Sequence, residues 1–546
     1  MKNYKYIGLF LLSLGIISCD VNNELDVIPE EVVPVVELNT ADLNFSSYVA
    51  IGASFTAGFT DNALFKRVQE NSFPNILASK FGTDFNQPLM NDNIGGLLFG
   101  GQPRTDGSFG PRLFFYSDPV DECPDYTGPT SVGVNRNDND NTPEIPTTEA
   151  TSILSGNFNN FGIPGAKSFH LLAPGYGNVA GLTLTPPLAN PYFVRMASSS
   201  NATVLQDAMA QNPTFFTLSE VGGNDVLGYA LTGGDGTDPI TPTATFNAAF
   251  NVLVSTLTGS GAKGVVANVP YITSLSHFTT VPYNALDPND ECTGPGLVAQ
   301  IDVLNAQLYE PLKQIFTAAG QPNRIDLLSK TQANPLLIYD EDATDLSAQI
   351  TGGLTPILGA ATATAFGNIF GKARQATQSD LLVLTSSSAI ASIVPSAPSP
   401  INVNGISFPL QDKWVLTPQE QTEIQVATDA YNATIANIVS ANPNVVLVDF
   451  KSILEEASTT GIQFDEYAMT TDLVVGGLIS LDGVHLTARG YALMANKILE
   501  AMDGIDTDGD GVIDIPGFGT NFTKATNGLA KASNYLTNYP SELPNN

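Results

Sequence analysis

This chain carries little positive charge. Its 546 residues hold 22 Lys+Arg against 54 Asp+Glu, a formal net charge of −32. Such a surface repels phosphate backbones, so nucleic acid is excluded as an expected partner. Charge of either sign is sparse, at 14%, while Gly (48) and Pro (36) are plentiful. That balance fits an exported protein with long ordered loops better than a cytosolic helical one. Histidine is limited to His170, His277 and His485, so any imidazole chemistry must use one of these three. Past the N-terminus no stretch is long and apolar enough to span a bilayer. What the chain does have is length and 43% hydrophobic residues. These suffice for a large core, as two domains or as one domain with large insertions.

The N-terminus, "MKNYKYIGLFLLSLGIISCD", sets Lys2 and Lys5 before an apolar run from Ile7 to Ile17. This reads as a secretory signal, residues 1–18. "IISC" resembles a bacterial lipobox, which implies cleavage before Cys19 and lipidation of its thiol. The expectation is an exported lipoprotein, anchored to a membrane of the cell envelope rather than spanning it. The outer membrane is its expected place, on the periplasmic side or the cell surface. Residues 19–46 read as an acidic tether with Pro29 and Pro34. Cys123 and Cys292 have similar flanks, Asp-Glu before and Thr-Gly-Pro close after. In an oxidising compartment they either pair as a disulfide or remain two buried thiols.

Short apolar runs bounded by glycine or turn residues predict buried strands at "YVAI", "FFTL", "GVVANV" and "NVVLV". Between them lie helical patterns. "NSFPNILASKFG" has Pro74 in its first turn and Gly82 at its end. "TATFNAAFNVLVSTLTGSG" is amphipathic. Thr417-Pro418-Gln419-Glu420 is a capping box opening a helix to about Ser440. The last helix is capped by Thr487, with Tyr491, Met494, Ala495, Ile498 and Met502 on one face. "NFNNFGIPGAKSFHLLA" reads as a loop entering a helix. The alternation predicts an α/β fold with a mostly parallel sheet and helices on both faces. Two insertions interrupt it: a loop-rich one at about 86–150 with a hairpin, and a mostly helical one at about 283–410. In such sheets chemistry gathers at the carboxyl ends of the strands.

Ser54, in "YVAIGASFTAGF", comes just after the first strand. A serine hydroxyl needs a base to act as a nucleophile. His485 lies in "LDGVHLTARGY", where Asp482 sits three residues earlier in a turn with Gly483. A carboxylate so placed can orient an imidazole and stabilise its cation. Oxyanion stabilisation needs N–H donors. Gly165 in "NFGIPGA", Asn224 in "VGGNDV" and the Ser54 amide are the candidates. His170 and His277 read as packing residues, with His277 also a candidate to line a cleft.

In chain order, Gly52-Ala-Ser54, Asn160 to Gly165, Gly222 to Asp225 and Asp482 to His485 resemble the four blocks of the SGNH hydrolase superfamily, the GDSL esterases and lipases. The resemblance covers Tyr48 to Ala501 in outline, with a hydrolase domain over 47–502. It implies a flavodoxin-like three-layer α/β/α sandwich. It makes Ser54 the nucleophile, His485 the base and Asp482 its orienting partner, with Ser54, Gly165 and Asn224 forming the oxyanion hole. No catalytic cofactor is implied. The substrate is an ester, lipid or acylated carbohydrate, and the chain is expected to be a monomer. Gly-Ala-Ser-Phe departs from the family's Gly-Asp-Ser-Leu, since Ala53 replaces an aspartate that supports the turn. This keeps a non-catalytic glycan- or lipid-binding lipoprotein as the alternative.

Residues 503–546 read as an acidic tail. Within it, Asp506, Asp508, Asp510 and Asp514 surround Gly511, a spacing that resembles a calcium loop. The twelfth position is Gly517 rather than a glutamate. The readings are structural calcium or a solvated acidic turn.

Overall fold

Five strands form one sheet, and their sequences show why four of them do. Tyr48–Gly52 (β1), Phe215–Leu218 (β3), Lys263–Ala267 (β4) and Val445–Val448 (β5) are rich in aromatic and β-branched residues. All five residues of β1 and all four of β3 are buried, as strands covered on both faces must be. Asn160–Gly162 (β2) completes the sheet. The computed structural model describes residues 35–117, 127–134 and 142–536. It separates Met1–Glu37, of which only 35–37 are described, from the unit Leu38–Asn546 that holds the sheet.

The order across the sheet is β5-β4-β3-β1-β2, and every pairing is parallel. Read from the other edge this is 2-1-3-4-5, one of the common doubly wound orders, which changes direction between β1 and β3. In register, Ile51 pairs with Leu218 and Gly52 with Gly162. Ser54, Glu220 and Gly165 therefore leave the sheet at nearly one level, on its carboxyl edge.

The expectation of a loop over 157–165 is corrected by β2. It has no apolar run to announce it. Asn160 builds the strand: its Nδ2 donates to the Thr56 carbonyl at 2.9 Å, and its Oδ1 accepts from Gly162 N–H at 2.9 Å. Gly162 must lack a side chain, because a Cβ there would lie 2.2 Å from Ala57 N. The helix expected after this loop is instead a short 3-10 turn, Ser168–Leu172.

The expected helices form at Phe73–Phe81, Thr243–Gly259 and Pro418–Ser440, the last with its Thr417–Glu420 capping box in place. The final helix, Ala488–Asp503, is capped by Thr487 accepting from Gly490 N–H. The single apolar face expected of it is too narrow. Arg489 and Asn496 are buried as well, because the chain beyond residue 518 covers the outer side. Asn496 exchanges two hydrogen bonds with the Ala530 backbone, and Phe522 is fully buried. Likewise the expected tether ends sooner than residue 46, since Phe45 is buried and stacks on Phe81.

Between β4 and β5, helices Gly294–Leu304, Glu310–Ala318, Ser347–Leu358 and Ala360–Phe370 gather an apolar cluster of their own around Tyr309, Phe316 and Phe370. An antiparallel hairpin pairs Leu113–Ser117 with Thr127–Ser131. Among the described residues no helix is long and apolar enough to cross a membrane. Cys19 and Cys123 lie outside the described residues, and Cys292 is disulfide-bonded.

Candidate active site

Ser54 starts a short helix, Ser54–Ala57, directly after β1 and Ala53. Gly52 makes that sharp exit feasible. A Cβ on it would lie 2.2 Å from Thr56 Oγ1 and 2.4 Å from the Ser219 carbonyl. Thr56 and Ser219 also share a hydroxyl hydrogen bond of 2.8 Å, which ties the ends of β1 and β3 together.

Across this junction stands Glu220, which sequence reasoning missed. Ser54 Oγ donates to its Oε1 at 2.7 Å, and Phe55 N–H donates to its Oε2 at 2.7 Å. Glu220 adopts φ 62°, a left-handed conformation rare outside glycine, at the start of a turn closed by Gly223 N–H on the Glu220 carbonyl at 3.1 Å. Burial pushes its carboxyl up to about 7; the neighbouring His485 and the hydrogen bonds from Ser54 and Phe55 oppose that rise. A signal was present: Glu220 lies two residues past its strand, as Ser54 lies two past the adjacent one.

Asp482 and His485 meet as expected. Asp482 Oδ2 lies 2.9 Å from His485 Nδ1 and accepts from Asn62 N–H at 2.7 Å. Its Oδ1 accepts from the N–H groups of Val484 (2.9 Å) and His485 (2.8 Å) and from Ser480 Oγ (3.1 Å). The turn needs glycine at 483, where φ is +78° and a Cβ would lie 2.8 Å from His277 N. Burial alone would raise the Asp482 carboxyl. The His485 charge and the hydrogen bonds from His485 and Val484 reverse this and hold it well below the carboxylate range. Burial alone would likewise lower His485, but Asp482, with Glu220 and Asp61, raises it above its ordinary value. Nδ1–H on Asp482 leaves Nε2 as the nitrogen that can take a proton.

The structure thus brings the dyad to the serine's edge of the sheet, with Phe55 and Phe59 rings 5.7 and 4.6 Å from the imidazole. It does not join Ser54 to His485 by a hydrogen bond; the serine proton goes to Glu220 instead. An apolar cavity of about 80 Å³ adjoins Phe55 and Glu220, lined further by Leu227, Val269, Ile479 and Leu486.

Gly165 has φ +79° and open space where a Cβ would stand. Its loop is pinned by Asn190 Nδ2 on the Pro164 carbonyl at 2.7 Å. Asn224 Nδ2 donates to the Ala166 carbonyl at 3.0 Å, and buried Asp225 accepts from Ser168 N–H (2.8 Å) and Oγ (2.7 Å). The Asn-Asp pair therefore clamps the glycine loop, with one of Asn224's two amide N–H donors engaged there.

His170 is a packing residue, stacked on Tyr176 at 4.7 Å, with burial and then Lys167 pushing it down to about 4. His277 is buried and buttresses the Asp482 turn. Its N–H donates to the Gly483 carbonyl at 2.9 Å and its Nδ1 lies 3.1 Å from the Asp482 carbonyl. In the C-terminal loop, Asp506, Asp508 and Asp514 can offer oxygens within 4.8 Å of one another; Asp510 is not in that group and accepts from Val512 N–H at 2.8 Å. Asp506 and Asp514 already accept from Gly509, Gly511 and Thr507.

No family model, curated protein or solved structure matches the chain.

Proposed function

We propose that the chain is a lipid-anchored serine ester hydrolase of the SGNH/GDSL type, with a flavodoxin-like three-layer fold and a monomeric working form. The observation that carries this reading is the largely buried Asp482–His485 pair, hydrogen-bonded at 2.9 Å, on the same sheet edge as a serine just past β1. In the proposed mechanism Ser54 Oγ attacks the ester carbonyl carbon as His485 Nε2 takes its proton. The carbonyl oxygen becomes an oxyanion facing the N–H groups of Ser54 and Gly165 and the Asn224 side chain. Collapse expels the alcohol, which receives the proton from His485. Water, deprotonated by His485, then attacks the acyl-enzyme, and collapse releases the acid as His485 returns the proton to Ser54 Oγ. Asp482 stabilises the imidazolium in both halves. For this to run, the Ser54 hydroxyl turns from Glu220 to His485, while Asn224 keeps one Nδ2–H on the Ala166 carbonyl and offers the other to the oxyanion.

The lipid anchor on Cys19 would hold the domain at a membrane of the cell envelope, near lipid or acylated-carbohydrate esters. A second reading, a weakly active or inactive binder of glycans or lipids, draws on one observation: the serine hydroxyl is bonded to Glu220 and not to the imidazole. Hydrolysis of a short-chain nitrophenyl ester by the chain and by Ser54→Ala separates the two. The hydrolase reading expects turnover that the variant loses; equal rates refute it.

A further inference from the structure

Far along the chain from the serine, three carboxylates from three segments converge. Glu341 lies just past the short strand Leu337–Tyr339. Asp412 opens a 3-10 turn, Asp412–Trp414, near the end of the helical segment. Glu420 lies in the first turn of Pro418–Ser440, a helix that packs on the central core. One oxygen from each lies within 4.8 Å of the others.

Acidic residues cluster on many surfaces without consequence. This group differs because its oxygens are buried and no other group donates to them. Glu341 Oε2, Asp412 Oδ1 and Glu420 Oε1 are all shielded from solvent and meet no donor from outside the cluster; only a proton shared among the three carboxyls links them. Glu420 is only 2% exposed. Its Oε2 serves the capping box, accepting from Thr417 N–H at 2.6 Å and Oγ1 at 2.8 Å, which leaves Oε1 for the cluster. Gly234, at φ +80°, closes over that oxygen: a Cβ there would lie 2.2 Å from it. None of the three carboxylates is in an ion pair among the described residues. The nearby cation, Lys372, is bonded to the Glu341 main-chain carbonyl. Asp235, Asp342 and Glu423 add further negative charge around the group.

Buried carboxylate oxygens without donors require either shared protons or a cation. Oxygens within 4.8 Å of one another are no further apart than two ligands of a single ion at about 2.4 Å, the calcium–oxygen range, and an all-oxygen donor set suits a hard cation.

We infer that Glu341, Asp412 and Glu420 bind one calcium ion that fastens the helical segment to the central core. Its removal loosens this junction and leaves the sheet intact. The site is distinct from the C-terminal aspartate loop, and it does not depend on the ester-hydrolase reading.

The test uses the full chain carrying Asp506→Asn, Asp508→Asn and Asp514→Asn, so that the C-terminal loop contributes nothing. Calcium is titrated by calorimetry after chelation, and Tm is recorded with calcium, with magnesium and with chelator. The inference expects one calcium per chain, a Tm that rises with calcium, and a smaller response to magnesium. Adding Glu341→Gln and Asp412→Asn abolishes binding. It also raises the Tm in chelator, because like charges are removed, so the two chains exchange rank between chelator and calcium. Glu423→Gln, whose carboxylate accepts from Tyr229 Oη instead, leaves binding unchanged. Absence of calcium binding in the parent overturns the inference and leaves a proton-sharing acid cluster. Binding that survives the double substitution overturns it as well.

Discussion

Replacing Glu220 by Gln tests the reading of the serine junction most sharply, because the structure fixes the sign of two separate effects. The Glu220 carboxyl is half-buried at the junction and stands at about 7 rather than 4.5. At ~1.36 kcal/mol per unit this rise corresponds to roughly 3 kcal/mol. The direction comes from proton counts. Between about pH 4.5 and 7 the unfolded chain has released this proton while the folded chain still holds it. Stability from this group is therefore complete below 4.5 and is lost as pH rises to 7. Glutamine cannot titrate. The Tm of the native chain relative to Glu220→Gln should thus fall by roughly 3 °C between about pH 4.5 and about pH 8, given the unfolding entropy of a chain this long. Scanning fluorimetry at several pH values reads this directly.

The second effect is kinetic. The ionised Glu220 helps to raise His485, so its removal lowers the imidazole's pKa. The acid limb of kcat/KM against a nitrophenyl ester should move to lower pH in Glu220→Gln. The variant also frees the Ser54 proton from its carboxylate acceptor. A Tm difference that is flat with pH, together with an unmoved acid limb, would refute the placement of an ionisable carboxylate on the serine turn.

Asp482→Asn keeps the turn but offers His485 Nδ1 the wrong partner, so kcat should fall about 10³–10⁴-fold with little change in KM, read by steady-state kinetics. Gly52→Ala forces a Cβ to 2.2 Å from Thr56 Oγ1 and 2.4 Å from the Ser219 carbonyl. Urea unfolding should show a loss of roughly 1–3 kcal/mol, and an unchanged midpoint would contradict the packing. Asp225→Asn removes the charged acceptor of two Ser168 hydrogen bonds in a buried site, at a cost of about 2 kcal/mol. It should also lower kcat by loosening the Gly165 loop, which the same esterase assay reads.

The strands that sequence could reveal were those built from side-chain chemistry. Tyr48–Gly52 and Val445–Val448 are runs that only a covered sheet can use, and flanking glycines or turns mark their ends. Asn160–Gly162 escaped because its reason for being a strand lies in other residues: the Thr56 carbonyl that takes the Asn160 amide, and the Ala57 backbone that leaves no room for a Cβ. The same division runs through the site. Asp482 and His485 are local, three residues apart in one turn, so their meeting could be read from spacing. Ser54 and Glu220 are 166 residues apart, and only the pairing of β1 with β3 makes them neighbours.

That pairing also recasts the significance of Ala53. Along the serine turn itself the sequence offers no carboxylate. The folded chain has one there, delivered from the next strand, accepting from the Ser54 hydroxyl and the Phe55 amide. Support for the serine turn is therefore supplied from across the sheet, by a carboxylate that titrates near neutrality. A local aspartate held by its own backbone would stay ionised through that range. If the ester-hydrolase reading holds, the serine's hydrogen-bond partner changes charge state near pH 7, which ties nucleophile positioning to pH as well as to His485.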